Sequence, residues 1–266
     1  MKITCLCASY NRPKLLGQAL AMFQAQDYPA QEMLILEDSG IFGDRELSGP
    51  GWRMICTTQR MPSVAAKRNY MVRELVASEL VAVFDDDDWY FPWHLSAAVA
   101  ALAKSDWAQP RQALEWESLG VLSRHWVFGE PIRRQLKGGR DPCTPRHQLD
   151  CCYGAQWSYR RDAYLAVGGH QEGHGNGEDT EWAVAMFKRF GPSQDTLTEQ
   201  HPLPSYVYSR AASGSWHGSE MGPGLAYMTK IGAMPKDDPA RFQIELPEGY
   251  CELAKQIPDE VRARKW

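Results

Sequence analysis

The sequence predicts one α/β domain built on a mostly parallel sheet with helices on both faces. Short apolar runs alternate with helix-like stretches through the first half of the chain, and acidic clusters directly follow two of those runs. The 266 residues are 44% hydrophobic and 23% charged, which is ordinary for a globular protein with a sizeable core. Strand–helix alternation is typical of parallel sheets, in which ligands bind at the carboxyl ends of the strands.

The first half of the chain alternates regularly. Its predicted strands are residues 2–8, 33–36, 53–57 and 80–84, and its predicted helices are residues 13–25, 63–77 and 92–104. Ser63 is placed to cap the second helix, because a serine oxygen accepts a hydrogen bond from a free N–H of the first turn. The second strand ends at Glu37 and Asp38, and the fourth runs into Asp85–Asp88, so both acidic clusters are expected at strand carboxyl ends.

The second half is less regular. A strand is predicted from Ala155 to Tyr159, a short helix from Asp162 to Val167, and a longer helix from Glu178 to Phe190. The longer helix is well marked, because its first turn is acidic, its last turn is basic, and Gly191-Pro192 follow it.

Two segments of the second half are predicted to be loops. Residues 129–147 are rich in Gly, Pro and Arg, and residues 169–177 are rich in Gly and His. We expect one domain over residues 1–220, with halves at about 1–105 and 106–220. An irregular C-terminal extension would then cover residues 221–266.

Charge and composition exclude several classes of protein. The net charge of −4 leaves no global basic field for nucleic acid, although a local basic patch stays open. No apolar run approaches the ~20 residues that span a bilayer, and the N-terminus lacks a signal-peptide pattern. Seven cysteines without framework spacing favour reduced thiols, so a cytoplasmic protein is expected, with peripheral membrane association left open. Cys5 and Cys7 share one face of a predicted strand and are expected to be buried.

Two sets of residues suggest zinc, and neither fits its ligand pattern. Cys143, Cys151 and Cys152 contain no paired CxxC motif. His170 and Glu172 form the HxE half of a zinc deaminase motif, but the matching Pro-Cys-x-x-Cys is missing. A zinc site is therefore not expected.

Four consecutive aspartates, Asp85–Asp88, carry the strongest chemical signal. They lie between Val-Ala-Val-Phe and Trp-Tyr-Phe-Pro-Trp, at the edge of a predicted buried strand. Adjacent carboxylates repel one another, more strongly as the local dielectric constant falls, and a divalent cation would offset that repulsion. Mg²⁺ and Mn²⁺ bind carboxylate oxygens together with the phosphate oxygens of a substrate. The run indicates a metal–nucleotide site, and a solvated acidic turn is the alternative.

Two further motifs carry weaker signals. Before the acidic turn of Gly177–Glu181, Gly175 and Gly177 leave the backbone open, so that a carboxylate could act as general base on a close substrate. Acids in a first helical turn need no such function, however. In Ser213–His217, the histidine is either structural or a Mn²⁺ ligand, because imidazole would complete an oxygen-rich coordination shell.

The order of these motifs resembles that of the family 2 glycosyltransferases, which have the GT-A fold. The likeness runs from about residue 2 to residue 217. Its motifs in chain order are Ser9-Tyr10-Asn11-Arg12, Glu37-Asp38, Ala66-Lys67-Arg68-Asn69, the DXD element Asp85–Asp88, Arg161 to Gly168-Gly169, and Gly177–Glu181. Each motif is weak alone, and their joint order is specific. Glu37 departs from the more usual Asp, which leaves the base contacts open.

The resemblance implies a role for each matching residue. The residues implied to bind a nucleotide sugar are Ser9, Tyr10, Arg12, Asp38, Arg68 and Asp86. Those implied to hold Mg²⁺ or Mn²⁺ against the diphosphate are Asp85, Asp87 and His217. Those implied to serve the acceptor are Asp179, as the catalytic base, and Glu178, which would orient the acceptor hydroxyls.

The resemblance thus implies an inverting, metal-dependent hexosyl- or pentosyltransferase acting on a nucleoside-diphosphate sugar. Residues 1–105 would bind the nucleotide and residues 106–220 the acceptor. One carboxylate base without a second nucleophile is consistent with inversion. The rival classes are a non-catalytic carbohydrate- or nucleotide-binding module, with ten tryptophans available to stack on sugars, and a nucleotidyltransferase. A dinucleotide-binding oxidoreductase is not expected, because no glycine-rich turn follows the first strand.

The acceptor is expected to be a saccharide, with an anionic acceptor as the alternative. A basic loop between the two acidic motifs carries Arg133, Arg134, Lys137, Arg140 and Arg146. The loop could be a solvated surface or a lid over the donor diphosphate. It could also bind a phosphorylated lipid, an acidic glycan or a modified nucleic-acid base, because clustered arginine suits phosphate.

Overall fold

The computed structural model describes residues 1–110, 112–116, 122–127, 157–172, 178–202 and 205–209. The strands are β1 (Ile3–Ser9), β2 (Gln31–Glu37), β3 (Arg45–Gly49), β4 (Trp52–Cys56), β5 (Leu80–Val83), β6 (Trp89–Tyr90), β7 (Trp107–Gln109), β8 (Gln112–Trp116), β9 (Leu122–Val127), β10 (Ser158–Arg160), β11 (Gln194–Asp195) and β12 (Tyr206–Ser209). The helices are α1 (Pro13–Gln24), α2 (Val64–Tyr70), α3 (His94–Leu102), α4 (Arg161–Ala166) and α5 (Glu178–Phe190), and a π-helical turn, Met71–Leu75, continues α2.

The larger sheet has eight strands in the order β11-β7-β10-β5-β1-β2-β4-β3. Its centre, β5-β1-β2-β4, is parallel throughout. Strands β10 and β3 run antiparallel to their neighbours, so the sheet is mixed around a parallel centre. All four residues of β5 and nearly all of β1 are buried, which explains their almost unbroken apolar sequences. The predicted α/β fold class is confirmed.

A smaller sheet was not predicted from the sequence. It has four strands in the order β6-β12-β8-β9. Strand β6 has only two residues and follows the aspartate run directly, too short for an alternating pattern to show. Its antiparallel pairing with β12 sets Tyr206 opposite Tyr90, next to the run.

The predicted helices are present, with small shifts at their ends. Ser63 caps α2 as predicted, because its Oγ accepts a hydrogen bond from Ala66 N at 3.0 Å. The predicted helix over 63–77 is α2 followed by the π-helical turn, and the predicted helix over 178–190 is α5. The predicted strand over 53–57 is β4, but its antiparallel partner β3 was missed.

The core lies between the larger sheet and its helices. Cys5 and Cys7 are buried in β1, as predicted. Trp107 and Trp157 are buried against Trp182 of α5, and the ring centroids of Trp157 and Trp182 lie 4.7 Å apart. Within the described ranges, no helix is both long and apolar enough to cross a membrane.

Several predictions fall on residues outside the described ones. These are the loop over 129–147 with its basic residues, the zinc candidates Cys143, Cys151 and Cys152, His217, and the extension over 221–266.

Candidate active site

The carboxyl ends of three parallel strands meet at one edge of the larger sheet. Strand β1 lies between β2 and β5 and runs parallel to both. Ser9 ends β1, Asp38 follows β2, and Asp85 follows β5 two residues after its end. The two acidic clusters therefore lie at this edge, where parallel sheets bind their ligands.

One guanidinium nitrogen of Arg12 bridges two of the aspartates. Its Nη1 donates to Asp86 Oδ1 at 3.0 Å and to Asp87 Oδ2 at 2.9 Å. Ser9 Oγ donates to the other oxygen of Asp86 at 2.6 Å. Because Asp86 is only 1% exposed, its charge is stabilised by these donors rather than by water.

The outer two aspartates have different partners. Nη2 of Arg68 donates to both carboxylate oxygens of Asp85 at 3.0 Å. Asp88 is buried and accepts a hydrogen bond from the Tyr206 hydroxyl at 2.6 Å. The run thus divides into three carboxylates that share two arginines and one that joins the run to β12.

Burial and mutual repulsion raise the pKa values of the two central carboxyls. Desolvation first, and the charge of Asp87 second, raise the pKa of Asp86 to about 6 against the lowering effect of Arg12. Desolvation also raises the pKa of Asp87, again against the lowering effect of Arg12. Because three carboxylates face two arginines, the edge favours one more positive group.

The donor set fits a hard divalent cation that is shared with a substrate. Asp85, Asp86 and Asp87 offer only carboxylate oxygens, and Mg²⁺ or Mn²⁺ commonly takes one or two of these together with substrate phosphates and water. Among the residues that the structure describes, no group of three or more His, Cys, Asp or Glu side chains is placed to hold a metal ion. The predicted contribution of His217, outside those residues, stays a prediction.

Glu37 shapes the turn that presents Arg12. Its Oε1 accepts hydrogen bonds from the backbone N–H of Asn11 at 2.9 Å and of Ser39 at 3.2 Å. Asn11 has a φ of 54°, a left-handed conformation that asparagine tolerates better than most residues. Oε2 of Glu37 is buried without a hydrogen-bond partner in the described part of the chain. Glu37 therefore braces the turn, a role that the sequence did not indicate.

Asp38 is buried against a lysine that the sequence analysis did not single out. Its Oδ1 accepts from Lys67 Nζ, and its Oδ2 accepts from the Met61 backbone N–H at 2.8 Å. Lys67 is 2% exposed and also donates to the carbonyl of Ser9 at 2.9 Å. Both carboxylate oxygens of Asp38 thus accept hydrogen bonds from within the protein, and the residue is 1% exposed. The sequence feature that could have indicated this contact is a lysine inside a helix whose neighbouring residues are buried.

Tyr10 offers an aromatic face beside the same edge. The guanidinium of Arg60 lies over its ring, 4.0 Å from the ring centroid. A planar cation on an aromatic ring marks a surface that also suits a flat base. Arg60 was not predicted, because it lies in a loop without a motif.

Asp179 lies in the first turn of α5, half-buried, and Glu178 begins the helix. Trp182 is three positions further on and therefore shares its helix face. The Trp182 ring packs on Trp157, whose carbonyl accepts from the backbone N–H of Val83 at 2.9 Å. Val83 ends β5, the strand that leads into the aspartate run. Trp157 therefore connects that strand to the face of α5 that carries Asp179.

The predicted residues thus fall into three groups. Those joined in one hydrogen-bonded network are Ser9, Arg12, Arg68, Asp85, Asp86 and Asp87. Asp38 joins the network through Lys67, and Tyr10 follows Ser9 directly. Asp179 and Glu178 lie on a separate element, α5.

No protein-family model and no curated protein sequence matches the chain. Solved structures do match. S. aureus TarS 1-349 in complex with UDP-GlcNAc has a TM-score of 0.59 and 15% identity, over 81% of this chain and 60% of that one. The same protein in complex with UDP has a TM-score of 0.57 and 14% identity, over 98% and 82% of the two chains.

A second similar structure is the mannosyltransferase PcManGT from Pyrobaculum calidifontis, in complex with GDP-Man and Mn²⁺. Its TM-score is 0.53 at 16% identity, over 90% of this chain and 66% of that one. The chain spans about three fifths of the TarS structure with UDP-GlcNAc. At these identities the likeness shows the fold, and the predicted GT-A-like architecture is confirmed.

Proposed function

We propose that the chain is an inverting, metal-dependent glycosyltransferase that moves a sugar from a nucleoside-diphosphate sugar to an acceptor hydroxyl. The observation that carries the proposal is the network of Ser9, Arg12 and Arg68 around Asp85–Asp87 at the carboxyl edge of a GT-A-like sheet. The UDP-GlcNAc and GDP-Man bound to two proteins of similar fold support a nucleotide sugar as donor.

Exposure separates the roles of the three aspartates. The Asp85 and Asp87 side chains are 23% and 18% exposed, whereas that of Asp86 is 2% exposed. Asp85 and Asp87 are therefore the accessible ligands for Mn²⁺ or Mg²⁺. Asp86, held by Ser9 and Arg12, sets their position or reaches the ribose. The Mn²⁺ bound to the mannosyltransferase supports this choice of metal.

The cation would stabilise the negative charge of the leaving diphosphate as a Lewis acid. Arg12 holds Asp86 and Asp87 through a single nitrogen, so a cation that uses the same oxygens competes with its guanidinium. The diphosphate is the anion to which Arg12 can then turn, because its planar guanidinium suits phosphate oxygens. Tyr10 offers its ring to the base on this side of the site.

Asp179 is proposed to remove the proton of the acceptor hydroxyl as that oxygen attacks the anomeric carbon. Such a base contributes typically about 10²–10⁴-fold to the rate. Glu178, the preceding residue, would orient the acceptor hydroxyls. Attack from the face opposite the leaving diphosphate inverts the anomeric configuration, because one carboxylate serves as base and none as nucleophile. A saccharide remains our first choice of acceptor.

The structure removes three tryptophans from the case for a non-catalytic carbohydrate-binding module. Such a module needs tryptophans at the surface to stack on sugars, and Trp107, Trp157 and Trp182 are each no more than 1% exposed. The tryptophans that are half-buried do not count against such a module: Trp52, Trp89 and Trp93.

A donor screen tests the proposal. The protein is incubated with UDP-sugars and GDP-sugars, with Mn²⁺ or with a chelator, and nucleotide release is measured with and without saccharide acceptors. We expect release with at least one donor and its loss with the chelator. Proton NMR of the product then gives the anomeric configuration. Retention would contradict inversion, equal release in chelator would contradict the metal, and no release from any donor would contradict glycosyl transfer.

A further inference from the structure

Asn69 links two distant parts of the chain through every polar atom of its side chain. It lies in α2 and is 1% exposed. Its Nδ2 donates to the His170 carbonyl and to Glu172 Oε1, both at 2.8 Å. Its Oδ1 accepts from the Tyr164 hydroxyl at 2.6 Å and from the His170 backbone N–H at 2.9 Å. One buried amide therefore fixes the segment 168–172, about a hundred residues away.

The backbone of that segment is shaped to admit the asparagine. Gly169 has a φ of +76°, and a Cβ built on it would lie 2.3 Å from Asn69 Oδ1. Only glycine fits this position, both for its left-handed conformation and for the approach of the amide. The close approach therefore depends both on the asparagine in α2 and on the glycine at position 169.

Asn69 is the last of three consecutive buried polar residues in α2, and each reaches a different part of the site. Lys67 bonds to Ser9 and Asp38 at the ends of β1 and β2. Arg68 holds Asp85 beyond β5. Because successive helix residues point about 100° apart, one short helix can hold three separate partners.

The segment that Asn69 holds touches α5 directly. The His170 ring lies 5.4 Å from the Trp182 ring and the Tyr164 ring lies 5.7 Å from it, between centroids. Trp182 is one turn beyond Asp179 on the same helix face. A continuous series of contacts therefore runs from Asp85 through adjacent residues of α2 to the face of α5 that carries Asp179.

We propose that Asn69 is a positioning residue, which sets the segment 168–172 and the start of α5 relative to the aspartate run. The inference rests on the proposed function, because it concerns the relative position of Asp85–Asp87 and Asp179, the groups proposed to act on the donor and the acceptor. A displacement of about 1 Å at a reacting centre can lower a rate by about 10²-fold. Asn69 itself contacts no substrate in this account and acts through Tyr164, His170 and Trp182.

The test compares Asn69→Ala with a buried amide elsewhere. Gln26 is 7% exposed and makes three hydrogen bonds, to Met22 O, Phe91 O and Leu95 N. Both substitutions should lower thermal stability. Only Asn69→Ala should slow transfer, by about 10²-fold, while the affinity for UDP or GDP with Mn²⁺ stays within about threefold. Tyr164→Phe removes one hydroxyl from the contact and should show a smaller loss of kcat in a chain that folds.

Amide hydrogen exchange tests whether Asn69 holds the segment 168–172 in place, and it needs no catalytic turnover. Asn69→Ala should speed amide exchange in residues 164–172 and in the first turns of α5, and leave β1 and β2 unchanged, whereas Gln26→Ala should not. Exchange in that segment unaffected by Asn69→Ala would overturn the inference. So would a kcat within about twofold of wild type for both Asn69→Ala and Tyr164→Phe. A wild-type chain that is inactive with all donors would instead overturn the proposed function. The exchange result would then still show whether Asn69 positions the segment 168–172.

Discussion

The two sides of the candidate site are held by different forces. The side proposed to bind the donor, called the donor side, lies at the ends of β1, β2 and β5 and is a network of charges in which Arg12 and Arg68 face Asp85–Asp87. The side proposed to serve the acceptor, called the acceptor side, is the segment 168–172 with α5, and it is held by packed rings around Trp182 and by one amide. Charges respond to pH, salt and metal, whereas packed rings respond to shape. Substitutions on the two sides should therefore differ in which measurement they change.

The largest expected effect is on the acceptor side. Asp179→Asn keeps the shape of the side chain and removes its basicity, so turnover should fall by about 10²–10⁴-fold while donor affinity holds. Asp162→Asn is the matched control, since Asp162 is an exposed acid in the first turn of α4. Near-normal turnover of Asp179→Asn would move the base to Glu178 or to another residue.

Asp86→Asn should show the electrostatic cost of the donor side. The pKa of Asp86 is raised from 3.8 to about 6 by burial first, so the folded chain holds its proton more tightly than the unfolded chain does. Stability from this group is complete below about pH 4 and lost as the pH rises through about 6. Because asparagine does not titrate, the Asp86→Asn variant should lose less stability than wild type between pH 4 and pH 7, and it should bind the donor less well.

Thermal unfolding of both chains from pH 4 to pH 7 measures this difference. Asp44→Asn gives the opposite sign, because hydrogen bonds from Thr58 lower the pKa of Asp44 in the folded chain. Its stabilising contribution is present above the ordinary pKa and is lost as the pH falls. If the stability of the Asp86→Asn variant falls as steeply as that of wild type between pH 4 and pH 7, the pKa of Asp86 is not raised by burial.

A smaller effect is expected from Arg12→Gln. The substitution removes the positive charge that lies 2.9–3.0 Å from Asp86 and Asp87. Mn²⁺ should then bind the protein alone about tenfold more tightly, and the nucleoside diphosphate alone should bind more weakly. Calorimetry with Mn²⁺ and with UDP or GDP checks both. Arg53→Gln is the control, because its guanidinium bonds to the carbonyl of Leu75. Unchanged Mn²⁺ affinity in Arg12→Gln would mean that the cation does not share its carboxylates.

The smallest effect on activity is expected at Tyr206. Tyr206→Phe removes the donor that lies 2.6 Å from the buried carboxylate of Asp88, which should destabilise the fold by about 1–3 kcal/mol. Well below the melting temperature, transfer should change less than about twofold, because Asp88 connects the aspartate run to β12 and is not proposed to bind the donor or the cation. A large loss of donor or Mn²⁺ affinity would instead place Asp88 with the other three aspartates.

Local patterns predicted which polar side chains meet at the carboxyl edge of the larger sheet. Apolar runs that end in Ser9, Asp38 and Asp85 mark buried strands whose polar ends must share an edge, so adjacency followed from the parallel topology. The cap at Ser63 followed in the same way from local chemistry.

Contacts between distant residues could not be predicted in this way. Asn69 meets His170 across 101 positions and Tyr206 meets Asp88 across 118, and no periodicity encodes such pairs. The short strands β6, β7 and β11 were also missed, because two or three residues carry no pattern. Lys67 looked like an ordinary helix lysine until its burial against Asp38 was visible.

The rate at which the buried thiols of the central sheet are labelled can measure how often that sheet opens. Cys5, Cys7 and Cys56 are each no more than 3% exposed. Burial raises the pKa of all three, and for Cys7 the charges of Asp86 and Asp85 raise it further. The thiolate is the nucleophile that attacks an alkylating reagent, so these buried sulfurs should stay unmodified in the closed protein. The rate at which a maleimide labels Cys7, followed peptide by peptide, then reports how often β1 separates from its neighbours.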